Sequence, residues 1–123
     1  MATRAAAALE RVRRLCLAFP ETSERPSHGA PAFFIRRTRS FVMFADNHHG
    51  DGRLALWCAA PAGAQAMLVE ANPDVYFVPP YVGPGGWIGV RLDRRAAWRE
   101  IGAVVEQAFR TRAPRTLLDR LDA

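Results

Sequence analysis

The chain has 123 residues, half of them apolar and 24% charged, which suits one globular domain and excludes disorder, collagen-like repeats and a multidomain protein. Seventeen basic side chains against 12 acidic give a formal charge of +5, which favours an anionic partner such as nucleic acid. Every basic residue is Arg and none is Lys, a bias that a GC-rich genome also produces, so position has to carry what the count does not.

Residues 3–19 place Leu9, Val12, Cys16 and Phe19 at spacings of three and four, with Arg4, Arg11 and Arg14 on a separate stripe. This predicts an amphipathic helix with a basic outer face, ended by Pro20. Residues 21–31, punctuated by Pro26 and Pro31 around Ser27, His28 and Gly29, read as an ordered loop. Residues 32–36 and 40–45 are aromatic and β-branched runs split by Arg37, Thr38 and Arg39, which predicts a hairpin. Residues 46–52 are dense in turn formers, and strand character resumes over 54–58. Pro61 opens a helix over 62–71 that Asn72 and Pro73 stop. A short strand over 75–78 ends at Pro79 and Pro80, a glycine-rich loop covers 81–86, and another strand covers 87–93. Trp98, Ile101, Val105 and Ala108 mark a helix within 94–112, and Pro114 opens a last one carrying Leu117, Leu118 and Leu121.

The order α-β-β-β-α-β-β-α-α lacks βαβ alternation. It predicts a single α+β domain over residues 1–123, with a mainly antiparallel sheet and helices segregated to one face. No run approaches the roughly 18 apolar residues of a membrane span, so no membrane partner is expected. Glu10, Arg11, Arg13 and Arg14 follow the Ala-rich start directly, leaving no apolar leader core, and a cytoplasmic location is expected. Cys16 and Cys58 lack metal or redox spacing and read as buried apolar residues in a reducing compartment.

Catalytic signatures are missing. There is no GxSxG elbow, Cys16 falls on the core side of its helix, and Glu10, Glu100 and Glu106 sit on Arg-rich helices as ion-pair partners. No catalytic residue is assigned. Asp46, His48, His49 and Asp51 have metal-ligand chemistry, but adjacent histidines in a strand end point to opposite sides, and Trp57 stands where a calcium loop needs a bidentate Glu. They read as a polar hairpin tip, and no metal or cofactor is expected. Gly83-Pro84-Gly85-Gly86 runs into a strand without the Lys and Ser or Thr of a phosphate loop, so it reads as a tight connection.

Two basic clusters remain as candidate contacts to DNA. Arg36, Arg37 and Arg39 lie at the first hairpin, and Trp87 with Arg91, Arg94 and Arg95 places an aromatic face near guanidinium groups suited to bases and phosphates. The alternative is a small-molecule site between the sheet and the His28 loop, with Trp57, Tyr76, Tyr81 and Trp87 as lining. A third reading is a protein interaction module, monomeric or weakly homodimeric through its short edge strands.

The stretch Pro26-Ser27-His28-Gly29-Ala30-Pro31-Ala32-Phe33, the run from Asn72 through Pro79-Pro80-Tyr81-Val82-Gly83, and Gly86-Trp87-Ile88-Gly89-Val90-Arg91-Leu92-Asp93 followed by Trp98 resemble the MmcQ/YjbR family in order along nearly the whole chain. The resemblance implies a frataxin-like α+β fold described as a double wing, and DNA binding. Family members often carry a basic residue before the Gly-Trp pair, where this chain has Pro84-Gly85-Gly86. Frataxin-like iron binders use an acidic first helix, whereas this one carries Arg4, Arg11, Arg13 and Arg14 against Glu10.

Overall fold

In this computed structural model, which describes residues 3–123, the Thr3 hydroxyl accepts from the Ala6 N–H at 3.0 Å and opens helix α1 over Arg4–Leu17. Four strands follow: β1 (Thr22–Ser27), β2 (Ala30–Ile35), β3 (Arg39–Asp46) and β4 (Leu54–Cys58). Helix α2 (Ala64–Ala71) leads to the short β5 (Tyr76–Phe77) and to β6 (Ile88–Arg91), and helices α3 (Trp98–Arg112) and α4 (Arg115–Asp122) close the chain. The class is α+β as expected, and the six strands lie in the order β1-β2-β3-β4-β6-β5 with every neighbouring pair antiparallel.

One strand was not anticipated. The segment over 21–31 is not a loop: most of it forms β1 and its turn into β2. Pro26 lacks an N–H, which an edge strand tolerates, and β1 is the sheet edge. His28 and Gly29 both have positive φ, 52° and 81°, and join strands paired as Ser27 with Ala30, as a two-residue hairpin turn requires.

Pairing register assigns the two faces. Val42, Cys58 and Ile88 form one cross-strand row and Phe44 and Leu56 with Val90 and Tyr76 the next. This inner face meets Val12 and Cys16 of α1 and Ile101, Val105 and Phe109 of α3, all buried. Phe109 stacks on Phe19 with centroids 4.7 Å apart and meets Phe41 edge-on at 5.8 Å.

The outer face carries Met43, Trp57, Gly89 and Phe77 in one row and Ala45, Ala55 and Arg91 in another. Side chains cover it in place of helices. Arg25 lies over the Phe34 ring at 3.9 Å and Arg53 over Phe77 at 4.1 Å. Gly89 leaves room for the Phe77 ring, which occupies the space that a Cβ would need.

Candidate functional site

Arg36, Arg37 and Arg39 sit at the β2–β3 turn, where Arg36 and Arg37 adopt φ of 49° and 67°. Most of this cluster is engaged within the fold. Arg36 Nε meets Glu21 at 3.1 Å while its Nη2 donates to the Thr116 hydroxyl at 3.2 Å, and Arg120 reaches the same Glu21 at 2.8 Å. Arg39 Nη1 donates to the Arg112 carbonyl at 3.1 Å, and Arg112 Nε donates to the Ser40 carbonyl at 3.0 Å. Burial, and then the charge of Arg39, push the pKa of Arg112 down. Trp87 lies at this end of the sheet, 9% exposed, with the Arg112 guanidinium 5.8 Å from its ring centroid. Its ring is part of the fold and offers no free face for a base.

Arg91, Arg94 and Arg95 lie at the other end. Arg39 is three residues before the Val42 row and Arg91 three residues past it, which separates them by roughly 20 Å along the strands. The two clusters expected from the sequence therefore do not meet. Arg91 is held by Asp93 through Nε at 2.9 Å and Nη2 at 3.0 Å. The Arg91 guanidinium, helped by the Leu54 N–H, holds the Asp93 carboxyl at about 2. Arg94 and Arg95 are exposed; Arg94 donates to the Asp93 carbonyl at 3.3 Å, and neither has a carboxylate within 4.0 Å among the described residues.

What joins Arg94 and Arg95 is the first helix. The Arg11 guanidinium lies 4.5 Å from the Trp98 ring centroid, and Leu15, one turn on, faces Gly102, one turn on in α3, where a Cβ would be 3.5 Å from Leu15 Cδ2. The helices thus run parallel and in step, and the start of α1 lies beside the end of β6: Arg4, Asp46, Arg53 and Asp93 share one shallow depression. Arg99 precedes Gly102 by three residues and shares its α1-facing side, while Glu100 turns away to accept from the Tyr76 hydroxyl at 2.5 Å. Arg11, Arg14, Arg94, Arg95 and Arg99 form a set with no carboxylate partner among the described residues; the other flank of α1 is neutralised through Arg13 with Glu10 and Glu24. Sequence reading found the α1 stripe but missed Arg99, whose only signal was its position three before a helical glycine.

The five residues expected to line a small-molecule site do not converge on one site. His28 is exposed on the β1–β2 turn. Tyr76 is on the inner face, its ionisation pushed up first by burial and then by Glu100, and it borders an apolar groove of about 260 Å³ between α2 and α3 with Ala64, Leu68 and Val104. Trp57 and Tyr81 are on the outer face, in a cluster with His48 and His49. No group of three metal-ligating side chains occurs among the described residues, and no described helix is long and apolar enough to cross a membrane.

A family model described as YjbR matches residues 17–111. No curated protein matches the chain. The crystal structure of Deinococcus radiodurans protein DR2400, with a domain described as DUF419, is similar in fold with a TM-score of 0.70 at 15% identity, over 82% of this chain and 75% of that one.

Proposed function

The chain belongs to the YjbR family, and on that footing we propose that it binds DNA, docking on the phosphate backbone through Arg11, Arg14, Arg94, Arg95 and Arg99. The observation that carries the reading is the distribution of ion pairs. Arg13, Arg36, Arg53, Arg91, Arg110, Arg115 and Arg120 each have a carboxylate partner; ten arginines have none among the described residues, and five of these, Arg11, Arg14, Arg94, Arg95 and Arg99, fall on α1, on α3 and in the connection before α3. Like charges held together without counter-charge repel one another, and a polyanion relieves that repulsion. Guanidinium groups on two adjacent helices and the preceding connection suit a run of phosphates, which position a protein without reading sequence. Binding is therefore of low sequence specificity, and no reaction is assigned.

Titration of a labelled duplex at two salt concentrations tests the proposal. About four phosphate contacts give a logarithmic salt slope near −4. Absence of binding at micromolar protein and about 50 mM salt would overturn it, since even non-specific binders are detected there.

A further inference from the structure

The helices on the inner face of the sheet do not close completely over it. α3 presses Ile101, Val105 and Ala108 into the core and turns the adjoining stripe, Glu100, Ala103, Val104 and Gln107, toward α2. α2 buries none of its residues and offers Ala64 and Leu68, one turn apart, from across a gap. Where longer side chains would fill that gap, Ala60, Ala64 and Ala103 leave it as the groove of about 260 Å³ with Tyr76 and Ile88 at its base. The one charged side chain lining it, among the described residues, is Glu100. One oxygen of this carboxylate accepts from the Tyr76 hydroxyl at 2.5 Å, and burial, which pushes the ionisation of Tyr76 up, keeps that hydroxyl a donor. The carboxylate is thereby fixed at the groove wall. Its other oxygen is free: among the described residues no guanidinium lies within 4.0 Å of Glu100, although most carboxylates of this arginine-rich chain are paired.

We propose that this groove binds a small organic ammonium ion, whose charged group pairs with the free oxygen of Glu100 and whose apolar body lies between Ala64, Leu68 and Val104. Charge and size both select that class. An anion meets the Glu100 carboxylate with nothing to offset it, and a strongly hydrated inorganic cation leaves the apolar walls unused. A dry apolar cavity of roughly 150 Å³ holds benzene, so the groove of about 260 Å³ takes one aromatic ring or branched alkyl group with a short tail. None of the arginines proposed to meet DNA lines the groove, so this site stands or fails independently of them.

The test uses the full chain and three probes of one shape: phenethylammonium, the neutral phenethyl alcohol and the anionic phenylacetate. Titration at neutral pH, followed by nitrogen–proton correlation NMR, gives each affinity and locates each probe. Phenethylammonium should shift the amides of Ala64, Leu68 and Val104 to saturation and bind about fivefold more tightly than the alcohol, with phenylacetate weakest. Glu100→Gln keeps an acceptor for Tyr76 and should bring the ammonium down to the affinity of the alcohol, whose own binding it leaves unchanged. Ala103 is exposed, so Ala103→Leu is expected to keep the fold, and its longer side chain should fill the groove and abolish binding of both. Shifts that map away from the groove, phenylacetate binding as tightly as the ammonium, unaltered ammonium binding in either variant, or no binding at millimolar probe would overturn the proposal.

Discussion

The guanidinium of Arg11 lies over the ring of Trp98, 4.5 Å from its centroid, where the C-terminal half of α1 runs beside the N-terminal half of α3. This packing decides which arginines are neighbours. Arg11 and Arg14 on α1 thereby share a side of the molecule with Arg99 on α3 and with Arg94 and Arg95 in the connection before it.

That contact is measurable as a coupling. Arg11→Gln, Trp98→Leu and the double variant, unfolded in urea, should give an interaction energy of about 0.5–1 kcal/mol, the range for a cation over an exposed aromatic face. Strict additivity of the two single changes would show that the helices are aligned by other contacts.

Asp93 ties the end of β6 to the start of β4. Its carboxyl is held at about 2, against an ordinary value of 3.8, chiefly by Arg91. A depressed value stabilises the folded state fully above the unfolded pKa, and the contribution is lost as pH falls from near 4 toward 2. Asp93→Asn should therefore lower stability near neutral pH by up to about 2 kcal/mol and flatten the acid limb of the stability profile between about pH 5 and pH 2. Parallel profiles for the two proteins would contradict this.

Gly89 is required by the Phe77 ring that lies against it. Gly89→Ala should destabilise the protein by about 1–3 kcal/mol through overpacking. In a Phe77→Ala background the same change should cost much less, because the clash partner is gone. Denaturant midpoints of the four proteins measure both values, and an undiminished penalty would place the strain elsewhere.

Burial pushes the ionisation of both Cys16 and Cys58 well up, which removes the thiolate that alkylating and disulfide reagents attack. Neither thiol should react with a disulfide reagent at neutral pH in the native protein, and both should react on unfolding in denaturant. Prompt labelling of either in the native state would place it at the surface.

These relationships were unequally legible in the sequence. The helices and inner strands were plain because Leu9, Val12 and Cys16, and again Ile101, Val105 and Ala108, repeat at helical spacing, while Phe41 to Phe44 is a short run rich in aromatic and β-branched residues, which suits a buried strand. β1 was hidden by Pro26, because edge position is a property of the whole sheet that no local window contains. The chemistry was less legible still. Which arginines meet depends on register: the three residues on either side of the Val42 row put Arg39 and Arg91 at opposite ends, and parallel packing of α1 and α3 brings Arg11 to Trp98. Tyr81 and Trp57 were recognised as aromatics of interest, but not His48 beside them, since its approach depends on the turn after β3, where Asn47 and His49 take positive φ.

The proposed DNA-binding face, around Arg11 and Trp98, is distinguished by position and not by net charge. Two triple variants, Arg94→Gln/Arg95→Gln/Arg99→Gln and Arg36→Gln/Arg37→Gln/Arg39→Gln, each remove three positive charges and so have the same net charge. Duplex titrations over a series of salt concentrations should show the first variant losing about three units of logarithmic salt slope, at about 0.9 per phosphate contact, with the second close to the parent. Equal losses in the two variants, or a loss confined to the hairpin variant, would contradict the assignment.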